Sequence, residues 1–396
     1  MTRRILIAGG GTGGHVFPSL AAAAAIRAAR PDVEVEFVGT ARGLEAKLVP
    51  EYGWTLHKVE AIPLARRLSP QTLRVPLTLA RASGVVGRLI RDREVAAALC
   101  FGGYVAVPLA LAARRGHIPL VIHEQNGVPG LANRLASRWA TAVALSVDTE
   151  EVRAGLAVGP DRITVTGNPV RPGLGTIDRD ALRAEALALF DLDPARRTLL
   201  VFGGSQGAQR INEAVVGSLR HWTDPEGLQI LHATGRAAHD LASRQWEEAL
   251  GGDARLRVRC LGFIDRMELA YAAADLVLCR AGASSIAELT VMGLPSVLVP
   301  YPHATADHQT ANARALQRAG ASVTIPDHAL DGDELARTVN GLLVDPGALE
   351  VMATAARHLG RPGAADALAR VLLSYVRPSG RSSGRVGGSS TKERAP

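Results

Sequence analysis

The sequence predicts an α/β protein built from two doubly wound, Rossmann-like domains with parallel sheets. Three observations predict it. Apolar runs of strand length recur along the chain, each followed by a polar or Gly-rich turn and then a helix-like segment. The runs are continuously apolar rather than alternating, as expected of strands covered by helices on both faces. They also form two sets on either side of TGNPVRPG (166–173), where Pro169 and Pro172 favour an extended linker. At 396 residues, 47% apolar and 21% charged, the chain is long enough to bury two cores.

Taken in order, RRILIAG (3–9) is the first strand, and the glycines after it open a helix. VEVEFVG (33–39), AAALCFGG (96–103) and PLVIHEQN (119–126) complete the first set. Between the second and third strands, Arg67, Arg74, Arg81 and Arg88 recur every seven residues among leucines and valines. Pro70 and Pro76 prevent one continuous helix there, so only Arg81 and Arg88 share a helical face. The second set is RTLLVFGG (197–204), LQILHATG (228–235), ADLVLCRAG (274–282) and PSVLVP (295–300). After the third of these, Ser284 or Ser285 is placed to cap a helix that carries Glu288 and ends at Gly293. A last helical run over 346–375 precedes RPSGRSSGRVGGSSTKERAP, whose composition cannot bury a core and reads as a disordered basic tail. The boundaries expected are 1–168 for the first domain, 169–354 for the second, a final helix at about 355–376 and the tail at 377–396.

Composition excludes several function classes. The net charge is +7, but the tail contributes +4 of it through Arg377, Arg381, Arg385, Lys392 and Arg394 against Glu393. With few aromatics and no basic-aromatic stripe, no nucleic-acid partner is expected. Cys100, Cys260 and Cys279 lack paired spacing and lie in or beside apolar runs, so three buried, reduced thiols are expected. No leader-like start and no run of about 18 apolar residues is present, so any membrane is met from one side.

In parallel sheets, ligands sit at the carboxyl ends of strands, where Gly turns let amides approach phosphate and helix starts add positive potential. Four such turns occur, at GGGTGGH (9–15), FGGY (101–104), FGGSQG (202–207) and RAGASS (280–285). Gly9, Gly11 and Gly14 satisfy G-x-G-x-x-G, as a nicotinamide-dependent oxidoreductase requires. That fold also needs an acid at the end of the second strand. Here Gly39 and Thr40 stand there, and Glu36 projects from the strand's interior. Glu288, facing a Gly turn, is the better placed acid for a ribose. Asp191 and Asp193 mimic a metal-holding D-x-D but precede a strand, at the edge away from ligands, and Asp178, Asp180, Asp331 and Asp333 sit at helix starts. His303, Asp307 and His308 lack a fourth ligand, so no metal and no cofactor is expected.

The ordered motifs GGGTGGHVFP, FGGYVAVP, HEQNGVPGLANR, GNPVR, FGGSQGAQRIN, AGASSIAEL and PYPHATADHQTANA closely resemble the MurG family of peptidoglycan glycosyltransferases, from about Arg4 to Leu373. The resemblance implies a GT-B fold, two Rossmann-like domains facing across a cleft, with the last helix crossing back to the first domain. It implies an inverting transfer of N-acetylglucosamine from UDP-N-acetylglucosamine to a lipid-linked muramyl-pentapeptide at the cytoplasmic face of the membrane, beside other cell-wall synthesis partners. On the donor side it implies Glu288 for the ribose, backbone near Ile264 for uracil, and Ser205 with the turn Ala283, Ser284 and Ser285 for the pyrophosphate. Arg171, Asn126 and Gln309 are implied to contact the donor's phosphate or sugar, and Gly11, Thr12 and Gly13 the reacting sugar and the acceptor's pyrophosphate. Gly14, His15, Gly103, Tyr104 and Glu124 line the acceptor side, with either His15 or Glu124 as the base. Ala106 and Gln209 depart from the family pattern. The basic segment around Arg74, Arg81 and Arg88 reads by itself as a solvated amphipathic face, and the resemblance implies that it is a patch for anionic lipid. The alternatives are a related transferase acting on another lipid acceptor and a non-catalytic recruiting subunit.

Overall fold

The computed structural model describes residues 3–60, 75–204, 207–304 and 307–376. Its first sheet has seven strands: β1 (Arg3–Ala8), β2 (Val33–Gly39), β3 (Thr55–Lys58), β4 (Val95–Cys100), β5 (Leu120–Glu124), β6 (Ala142–Leu145) and β7 (Ile163–Val165). The second has six: β8 (Arg197–Phe202), β9 (Leu228–Ala233), β10 (Arg257–Leu261), β11 (Leu276–Cys279), β12 (Ser296–Leu298) and β13 (Ser322–Thr324). Their orders are β3-β2-β1-β4-β5-β6-β7 and β10-β9-β8-β11-β12-β13, with parallel pairing throughout. This is the two-sheet α/β architecture the sequence predicts. In each sheet the order reverses beside its first strand, β1 or β8. The Gly turns after β1, β4, β8 and β11 therefore all lie at the crevices opened by these reversals.

All eight apolar runs form strands, and β3, β6, β7, β10 and β13 extend the sheets beyond them. Both faces of each sheet are covered. In the first, Leu6, Ala98 and Ile122 point into one core and Ile5, Leu99 and Val121 into the other. The second alternates similarly, Leu200 and Val277 against Leu199 and Leu276.

The single final helix is corrected. Residues 346–375 form two helices, Pro346–Leu359 and Ala364–Leu373, and residues 355–359 belong to the earlier one. Pro362 has no amide to continue the ladder, and Gly360 lies so close to the Thr290 carbonyl that a Cβ would stand 2.7 Å from it. The break lets Ala356 pack into the second sheet's core while Leu368, Ala369 and Leu372 pack beside the helix Gly13–Ala29 on the first sheet.

Two other expectations change. The helix Ala283–Met292 is capped by Gly282, so Ser284 and Ser285 stand in its first turn; Gly293 ends it at φ +62°. Cys100 and Cys279 are buried, but Cys260, on edge strand β10, is half-covered and takes the Ser243 hydroxyl hydrogen at 3.5 Å.

The helix Val75–Asp92 starts next to Pro76 and buries Ala82, Val86 and Ile90. Leu77, Arg81, Val85 and Arg88 form its outer face. Arg67, Arg74, Ser205 and the tail 377–396 lie outside the described residues.

Candidate active site

The loop after β1 closes tightly on its neighbours. Gly103 holds φ +77°, and a Cβ there would sit 2.6 Å from the Gly10 carbonyl, so the turns after β1 and β4 touch backbone to backbone. Thr12 caps the helix Gly13–Ala29 in extended conformation, which leaves the helix's first amides without intrahelical partners. His15 lies in that first turn, with Nδ1 3.4 Å from the Thr12 hydroxyl and Nε2 against Gly102. Its pKa falls from the ordinary 6.5 to about 4, chiefly through burial and then through His308, with Glu45 opposing the fall. The ring is therefore neutral near pH 7.

Glu124, at the end of β5, is committed elsewhere. Its Oε1 accepts from the Asn126 amide at 3.0 Å and side chain at 3.3 Å, and its Oε2 from the Gly130 amide at 3.0 Å and Asn133 at 2.8 Å. Burial raises its pKa and these bonds pull it down. With 1% exposure, the carboxylate organises the loop 124–133. Beneath it, buried His123 donates from Nε2 to the Gly167 carbonyl at 3.0 Å. Tyr104 stands 47% exposed just past Gly103.

In the second half, Glu288 is 3% exposed. The Tyr271 hydroxyl donates to its Oε2 at 2.7 Å and Arg171 Nε to its Oε1 at 2.9 Å. Arg171 also stacks over the Phe17 ring, 4.3 Å from its centroid, and so spans both halves of the chain. The Ser284 hydroxyl donates to the Gly14 carbonyl at 3.4 Å, joining the Ala283–Met292 helix start to the His15 helix start. The Ile264 side chain faces the core, leaving only backbone for a ligand. Gln309 Oε1 accepts from the Tyr301 amide at 2.9 Å.

Some groups fall away from the cleft. Arg210 donates to the carbonyls of Leu330 and His328, and Gln209 to Glu213, so neither faces the Gly turn beside it. Asp191 pairs with Arg257 and Arg259 before β8, and Asp178 and Asp331 cap helices. Among the described residues no group of three His, Cys, Asp or Glu side chains could hold a metal ion. Glu36 is bound to His57, Arg4 and Arg93, and Glu34 pairs with Arg4, so both acids of β2 are engaged within the fold.

Sequence reading missed two residues. Glu45 hydrogen-bonds the Gly11 amide at 2.8 Å, so that amide faces inward rather than toward a phosphate. Asn312 crosses between the halves, donating to Asn126 and accepting from the Gly127 amide, both at 3.5 Å. Asn312 had a signal in its place within the motif that carries Gln309, whereas Glu45 stands in an ordinary charged segment.

Two parallel sheets whose Gly turns meet across one cleft, with residues 5–145 matching the glycosyltransferase family 28 N-terminal domain and 198–368 its C-terminal domain, define a family 28 glycosyltransferase. A Nocardioides protein named UDP-N-acetylglucosamine–N-acetylmuramyl-(pentapeptide) pyrophosphoryl-undecaprenol N-acetylglucosamine transferase is 44% identical over 373 residues, 93% of this chain and 97% of its own length. A Streptomyces coelicolor protein of the same name is 41% identical over 94% of this chain and 98% of its own. The crystal structure of Acinetobacter baumannii MurG superposes with a TM-score of 0.73 at 29% identity, covering 94% of this chain and 99% of that one. The chain belongs to the MurG family of N-acetylglucosamine transferases.

Proposed function

We propose that this chain transfers N-acetylglucosamine from UDP-N-acetylglucosamine to the C4 hydroxyl of undecaprenyl-pyrophosphoryl-muramyl-pentapeptide, lipid I, giving lipid II with inversion. The observation that carries this reading is the meeting of a neutral base with a donor-binding helix start, Ser284 of one helix touching Gly14 of the other. His15 takes the C4 proton as that oxygen attacks the anomeric carbon; the bond from that carbon to the phosphate oxygen breaks, and its electron pair leaves on UDP. Glu124, its oxygens filled, shapes the acceptor loop with Gly103 and Tyr104.

The donor rests on the second half. Glu288 takes the ribose hydroxyls, backbone near Ile264 the uracil, and Asn126 and Gln309 the sugar. Ser205 and the turn Ala283 to Ser285 hold the pyrophosphate. Arg171 exchanges Glu288 for the phosphate as the ribose arrives. Gly13 and Gly14, with Thr12, offer the amides facing the reacting sugar and the acceptor's pyrophosphate, while Gly11 fixes the turn.

Charge on the leaving UDP is met by the Ala283 helix start and Arg171, and no metal is required. Turnover is expected to persist after exhaustive EDTA treatment; loss that magnesium restores would contradict this. The outer face of the Val75–Asp92 helix interleaves Arg81 and Arg88 with Leu77 and Val85, 56% and 41% exposed, as suits an anionic membrane surface. Among the described residues no helix is long and apolar enough to cross a bilayer; attachment at the cytoplasmic face rests on that basic, apolar helix face.

The test is transfer of labelled sugar to lipid-linked muramyl-pentapeptide and, in parallel, to diacylglycerol. Label is expected in the muramyl product alone; transfer to diacylglycerol, or to neither, overturns the reading.

A further inference from the structure

Glu45 opens the short helix Glu45–Glu51, is 1% exposed, and has no part in the steps above. Its carboxylate is held under the first Gly turn. Oε2 accepts from the Gly11 amide at 2.8 Å, and Oε1 from the Thr40 amide at 2.9 Å and hydroxyl at 2.8 Å. The Thr40 hydroxyl in turn accepts from the Gly43 amide at 3.1 Å. The surrounding backbone is cut to fit. A Cβ at Gly10 would stand 2.6 Å from Oε1, one at Gly39 would stand 2.6 Å from Cγ, and one at Gly43 would collide with the carboxylate.

A carboxylate buried this fully is costly to keep ionised unless hydrogen bonds replace its water. A loop that needed only an acceptor could use a neutral side chain. A full negative charge does more: it opposes the two influences, burial and His308, that disfavour a charged His15. An imidazole that must gain a proton during transfer profits from such a neighbour.

We propose that Glu45 is a positioning residue for the transfer reaction: it locks the turn at Gly11 so that His15 faces the acceptor, and its charge supports His15 as the ring takes the proton. This rests on His15 being the base. Glu45→Gln keeps the size but sets an amide donor against the N–H of Gly11 or Thr40, and it removes the charge.

The test is a double-mutant cycle of Glu45→Gln and His15→Ala, with kcat, donor KM, melting temperature and UDP binding measured for each protein. Glu45→Gln is expected to lower kcat about tenfold or more while donor KM stays within about twofold and UDP still binds. In the His15→Ala background the same change is expected to cost less than about twofold, because its route is already gone. Multiplicative losses, or parental kcat in Glu45→Gln, overturn the proposal and leave the His15 reading standing. Parental kcat in His15→Ala removes the base reading and this proposal with it. If Glu45→Gln does not fold, Thr40→Ala, which removes one hydroxyl donor, runs through the same cycle with a smaller loss expected only where His15 is present.

Discussion

The two carboxylates that the motifs brought forward differ in what surrounds them. Glu124 has four donors on its oxygens from its own loop, whereas Glu288 is held by the buried Tyr271 hydroxyl and by one long, partly exposed side chain, Arg171. Ribose hydroxyls can therefore replace the Arg171 bond without leaving a buried charge unpaired. Glu288→Ala is expected to lower kcat/KM for the donor by about 2 kcal/mol or more, since the hydroxyls lose a charged acceptor. Steady-state kinetics over a range of UDP-N-acetylglucosamine concentrations checks this, and unchanged values would exclude Glu288 from the donor site. His15 and Glu288 were legible because each follows a Gly turn at a strand's carboxyl end. Glu45 was not: it stands in an ordinary charged segment, GLEAK, and only the folded chain reveals that Gly10, Gly39 and Gly43 clear space for it.

Elements were read where hydrophobicity was continuous and lost where it was not. The eight apolar runs became strands because central parallel strands are buried on both sides. Edge strand β10, RVRCL, alternates polar and apolar residues with a solvated face, so no continuous run marked it. The helix Val75–Asp92 was legible in part: the prolines ruled out one continuous helix through the basic repeat, and the seven-residue spacing put Arg81 and Arg88 on one outer face. Basic residues near anionic lipid contribute about 1 kcal/mol each. Arg81→Gln with Arg88→Gln is expected to weaken binding to phosphatidylglycerol vesicles roughly tenfold or more, while turnover on a short soluble acceptor stays at the parental level. Co-sedimentation checks it; equal binding by variant and parent would return this face to ordinary solvent exposure.

At the scale of the whole molecule, the two sheets communicate through a few side chains, with Asn312, Ser284 and Arg171 each touching both halves. Each half also contains a buried neutral histidine. His123 donates to the Gly167 carbonyl, while His232 donates to Asn212 and accepts from the Trp246 indole at 3.1 Å, a pattern only the neutral ring allows. Burial lowers both from the ordinary 6.5 to about 4. The unfolded chain binds these protons first, so the stability they support is complete above pH 6.5 and is lost as pH falls toward 4. Each is expected to cost on the order of 2 kcal/mol at pH 5. Thermal melts are expected to show Tm falling between pH 7 and pH 5; a flat Tm over that range would contradict the neutral-histidine account.

The central claim is a division of labour, in which the first half supplies the base and the second holds the nucleotide. It is tested most directly by kcat and donor KM of His15→Ala on lipid-linked acceptor, with its melting temperature. The account predicts kcat lower by about 10²-fold or more, donor KM within about twofold, and an unchanged Tm. Parental kcat, or a small kcat loss with a large fall in Tm, would contradict it: His15 would then be a structural support of the Gly loop.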